Sequence, residues 1–117
     1  MAAEDAAAAA QLAETALKAL LPDAVRSCKA DTEYAVTGDG GLSLTIDNKG
    51  KEDYLGGLAT TAMMCIFNDL NIPTAVTAHM QQTTSMDGRQ TEAWDSIEVS
   101  WSYHPDRGMD SVVSVID

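Results

Sequence analysis

The run from residue 94 to 103 alternates strictly, with Ile97, Val99, Trp101 and Tyr103 on one side and Ser96, Glu98, Ser100 and Ser102 on the other. A period of two with bulky apolar groups on one face predicts a half-buried antiparallel strand. Met86-Asp87-Gly88-Arg89 precedes it and supplies the Asp-Gly pair that tight turns favour. Before that turn, Val76, Ala78 and Met80 alternate with Thr77, His79 and Gln81. Residues 74–82 and 91–103 therefore read as the arms of one long hairpin. A shorter hairpin is predicted upstream, where residues 34–37 and 42–46 flank Gly38-Asp39-Gly40-Gly41, with Tyr34, Val36, Leu42, Leu44 and Ile46 aimed inward. A last strand is expected over residues 112–116, after the turn His104-Pro105-Asp106-Arg107-Gly108.

Two stretches have helical spacing instead. From Glu4 to Leu21 nearly every residue is a good helix former, and Leu12, Ala16, Leu20 and Ala24 recur at intervals of four. The alanine run 6–10 is expected to fray, and Pro22 to stop or kink the helix at Leu20-Leu21. A second helix is predicted from Lys51 or Asp53 to Leu70, with a stripe of Leu55, Leu58, Ala59, Ala62, Cys65, Ile66 and Leu70. Gly56-Gly57 would then lie inside it, a cost that close packing has to offset. The fold class that follows is α+β. Two helices pack on one face of an antiparallel sheet of about five strands, in the order α-β-β-α-β-β-β.

Composition narrows the picture. A chain of 117 residues that is 45% apolar is long enough for one core and reads as a single domain over residues 1–117. Eighteen acidic residues against seven basic give a net charge of -11, which disfavours nucleic acid and anionic membranes as partners. No window approaches a membrane span. The opening Met1-Ala2-Ala3-Glu4-Asp5 lacks the basic and apolar regions of a secretory signal; it fits a native cytoplasmic start, and equally a chain whose leader has been replaced by an initiator Met. Cys28 and Cys65 have no metal or redox spacing. Two readings stay open for them: small buried thiols, which the apolar surroundings of Cys65 favour, and a disulfide.

Candidate chemistry is sparse. His79 and His104, with Asp95, Glu98 and Asp106, fit no metal-ligand motif, and no Ser, Thr or Cys has the surroundings of a nucleophile. Gly38, Gly40 and Gly41 precede a strand and so lack the helix N-terminus a dinucleotide needs. Asp47, Asn48 and Asp53 lack the remaining ligands of a calcium loop. Neither enzyme, cofactor nor metal is expected. The six methionines read as core fillers first and as adaptable binding surface second.

The segment from Met86 through Trp94-Asp95 to Trp101-Ser102-Tyr103-His104-Pro105-Asp106 resembles the endings of small extracytoplasmic and lipoprotein domains of Gram-positive actinobacteria. That resemblance implies a cell-envelope or secreted location and no defined activity. The expected function is thus a non-catalytic extracytoplasmic module that binds a protein or small ligand. Its polar sheet face and the 86–91 turn would be the binding surface, with Thr77, His79, Gln81, Glu98, Ser100 and Arg89 as candidate residues. The alternative is a small acidic inhibitor that occupies a basic site on a partner by mimicking its charge.

Overall fold

In a computed structural model, which describes residues 2–48 and 56–116 with side chains from Glu14 onward, the elements follow directly from where the large apolar residues can meet. Helix α1 (Ala2–Ser27) is followed by β1 (Ala35–Gly38), a tight turn at Asp39–Gly41 and β2 (Ser43–Asp47). Helices α2 (Thr60–Asp69) and α3 (Thr74–Gln82) come next, then β3 (Gln90–Trp94), β4 (Ile97–His104) and β5 (Gly108–Val115). The fold is α+β, with a five-stranded antiparallel sheet in the order β1-β2-β5-β4-β3.

Two cross-strand rows face the helices. One runs Leu44, Val113, Val99, Glu92 and the other Ile46, Ser111, Trp101, Gln90. Their apolar members join Leu21, Ala24 and Val25 of α1, Met63, Ile66 and Phe67 of α2, and Val76 and Met80 of α3 in one core. The alternation expected of β4 holds for Ile97, Val99 and Trp101, all buried, while Tyr103 is 37% exposed. The opposite face carries Ser43, Thr45, Val112, Ser114, Ser100 and Glu98, half-buried or exposed. Each tryptophan is also anchored at a helix C-terminus, Trp94 by a backbone carbonyl and Trp101 by a side-chain hydroxyl. The Trp94 indole donates to the Leu70 carbonyl at 2.8 Å, and that of Trp101 to the Thr83 hydroxyl at 3.0 Å.

Several expectations are corrected. Residues 74–82 form a helix and not a strand, so the described residues hold three α-helices in the order α-β-β-α-α-β-β-β. Pro73 is the N-cap, and Val76 and Met80, one turn apart, are the buried pair. The sheet still has five strands because the run 91–103 breaks at Asp95-Ser96 into β3 and β4, with Asp95 at φ 49. In β1 the inward residue is Ala35, and Val36 is 51% exposed. In α1 the expected Ala24 is buried, but Ala16 and Leu20 are exposed and Leu21 takes the core position instead, and the helix continues through Pro22 to Ser27. Gly56 and Gly57 precede α2, with φ of 79 and 127, so no helix contains them. Side-chain packing of Leu12 and the expected helix start over residues 51–55 lie outside the described residues.

Cys28 and Cys65 are joined in a disulfide, which corrects the free-thiol reading. Cys65 lies on the exposed side of α2, whose core face is taken by Met63, Ile66 and Phe67, and so meets the turn that follows α1. The disulfide is consistent with an extracytoplasmic location. Among the described residues no helix is long and apolar enough to cross a membrane.

Candidate functional site

Where α2 and α3 leave the end of the β4–β5 hairpin uncovered, a cleft of about 610 Å3 opens. Met63 and Met64 enter it from α2, while Thr77, Met80 and Gln81 share one side of α3 at helical spacing. Tyr103, Pro105 and Met109 close it from the hairpin. At one edge, Asn48 is 6% exposed and ties three elements together. Its amide nitrogen donates to the Leu58 carbonyl at 3.0 Å and the Thr60 hydroxyl at 3.3 Å, and its side-chain oxygen accepts the Met109 amide at 3.4 Å. The volume is typical of small-molecule sites, and four thioethers give the wall an apolar, deformable character. None of the described lining residues is charged.

The candidate residues read from sequence fall in three separate places. Thr77 and Gln81 line the cleft, but from a helix and not from a sheet face. His79, on the same helix, points to the edge strand, where its Nδ1 lies 2.8 Å from a Glu92 carboxylate oxygen and its Nε2 3.0 Å from the Gln90 side-chain oxygen. Glu98 and Ser100 are on the outer sheet face, and Arg89 reaches Ser100 there, its Nε donating to the hydroxyl at 3.1 Å. The 86–91 turn joins α3 to β3 and is not a hairpin tip. The Thr84 amide donates to the Asp87 carboxylate at 2.7 Å, which holds that turn.

The hydrogen bond to Glu92, and after it the one to Gln90, raises the His79 pKa above its ordinary value, with burial opposing. A raised folded-state value means that this contribution to stability is full below the unfolded histidine value of about 6.5 and is lost as pH rises through the folded value. On the outer face Asp47 stands opposite Asp110. Burial, then the neighbouring Asp110 charge and hydrogen bond, raise the Asp47 pKa.

Among the described residues no cluster of three or more His, Cys, Asp or Glu side chains is placed to hold a metal ion. Comparison of the chain with protein-family models, curated proteins and solved structures finds no match in any of the three. The sequence marks its methionines as core fillers first and adaptable surface second, and Met63, Met64, Met80 and Met109 come from three segments with no local motif to join them into one site.

Proposed function

We propose that this chain is a non-catalytic binding module that works outside the cytoplasm and takes an uncharged, largely apolar small molecule into the methionine-lined cleft. The observation that carries the reading is the lining: four thioethers and a tyrosine around about 610 Å3, with no described charged side chain to meet an ionic ligand. Among the described lining residues a buried ion would find no counter-charge, and a net charge of -11 further repels anions. The Cys28–Cys65 disulfide supports the oxidising compartment.

A matched pair of dyes tests the ligand class. The neutral dye phenylnaphthylamine is expected to bind the folded protein at least about tenfold more tightly than its sulfonate, anilinonaphthalene sulfonate, a difference of about 1.4 kcal/mol. Met64→Trp, which fills the cleft from its partly buried rim, is expected to abolish dye fluorescence while leaving the circular dichroism spectrum unchanged. Equal affinity for both dyes, or undiminished binding to the filled variant, contradicts the proposal.

A further inference from the structure

Helix α3 has two working sides. One gives Thr77, Met80 and Gln81 to the cleft, and the other gives His79 to the edge strand β3. At His79 both ring nitrogens face oxygen atoms that only accept. Nδ1 is 2.8 Å from the Glu92 carboxylate, and Nε2 is 3.0 Å from the Gln90 side-chain oxygen. The Gln90 amide is held in that orientation because its nitrogen donates to the Asp87 carbonyl at 2.8 Å. A neutral imidazole has one N–H and satisfies one of these acceptors; only the imidazolium satisfies both.

The ring also meets Trp101 edge-on, with centroids 4.8 Å apart and planes at 77°. Trp101 in turn donates to the Thr83 hydroxyl at 3.0 Å, and that hydroxyl donates to the His79 carbonyl at 2.7 Å. The last turn of α3 is thereby fastened to β3 and β4 by the His79 ring and the Thr83 hydroxyl together. The charged groups around the ring are Glu92 from β3 and Asp87 from the turn before it; β4 presents the uncharged Trp101.

We propose that protonated His79 is a clasp that holds α3 against β3 and so sets the width of the methionine cleft, making affinity for its apolar ligand proton-dependent. The inference rests on the cleft being the binding site. Below the His79 titration the clasp is doubly bonded and the cleft wall is fixed. Above it one bond is lost, Glu92 or Gln90 is left without its donor, and α3 has an extra way to move. Binding to a wall that must first be ordered is weaker.

His104 provides an internal control, because it flanks the cleft at Pro105 but has the opposite bonding. Its Nδ1 accepts the backbone amides of Asp106 and Arg107 at 3.2 and 3.4 Å.

The test is a phenylnaphthylamine titration at a series of pH values from about 5 to about 9, with the two histidine rings followed by NMR on the same samples. The Kd of the unmodified protein and of His104→Gln is expected to rise about threefold or more as the His79 signal titrates, and to stay flat in His79→Gln. A Kd that does not change with pH in the unmodified protein, or a pH dependence that survives in His79→Gln, overturns the clasp while leaving the cleft as the site. Absence of dye binding at every pH overturns the cleft reading and the clasp with it.

Discussion

Replacing Gly41 by alanine is expected to cost about 3 kcal/mol of unfolding free energy, combining strained backbone and a forced separation of packed elements. Gly41 has φ +97, and an added Cβ would lie 2.1 Å from the Lys18 carbonyl oxygen of α1. The approach is possible because Pro22, four residues on, has no N–H to give that carbonyl. A proline that looks like a helix breaker thus leaves a place where the β1–β2 turn docks against α1. Gly40 is the natural comparison. It has φ +69 but open space around its Cβ position, so Gly40→Ala is expected to cost about 1 kcal/mol for backbone conformation alone. Urea denaturation of the two variants separates the effects. Equal losses would mean that the Gly41 contact does not hold α1 to the turn.

Loss of the Cys28–Cys65 disulfide is the second large effect. A bridge across a sequence separation of 37 residues restricts the unfolded chain enough to contribute about 4 kcal/mol by the chain-entropy estimate. Domains of this size have roughly 5–15 kcal/mol in all, so the reduced form should be marginal. Cys65 lies on the exposed side of α2 and is open to reductant. Unfolding free energies from urea denaturation, measured with and without dithiothreitol and for the Cys28→Ser/Cys65→Ser double variant, are expected to fall together by that amount. A loss below about 1 kcal/mol in both would contradict the structural role of the bridge and weaken the argument for an oxidising compartment.

The sheet centre was legible in the sequence because period two and large side chains coincide there: Leu44 and Ile46 in β2, and Ile97, Val99 and Trp101 in β4, all buried. Residues 74–82 were not, since Val76, Ala78 and Met80 satisfy an alternating pattern and, at positions 76 and 80, a helical one. The buried Thr83 and the half-buried Ile72 extend the helical spacing in both directions, which separates the two readings only when burial is known. In α1 the many alanines give the stripe little contrast, so a shift of one residue from Leu20 to Leu21 left no trace in the spacing. Ala35 in place of Val36 reflects how this short edge strand packs against α1, a tertiary effect that β propensity does not carry. The site was the least legible part. His79, Gln90 and Glu92 meet across a helix–strand junction, and the cleft methionines across three segments, so neither group has a spacing to recognise.

The central claim is that an uncharged apolar molecule occupies the space among Met63, Met64, Met80 and Met109. Methionine methyl NMR reads it directly, because Met86 is 94% exposed and lies outside the cleft, serving as an internal reference. Titration with phenylnaphthylamine should shift the methyl signals of Met63, Met64, Met80 and Met109 and leave that of Met86 in place. Shifts confined to Met86, or no shift at the four cleft methyls under saturating dye, would contradict the account.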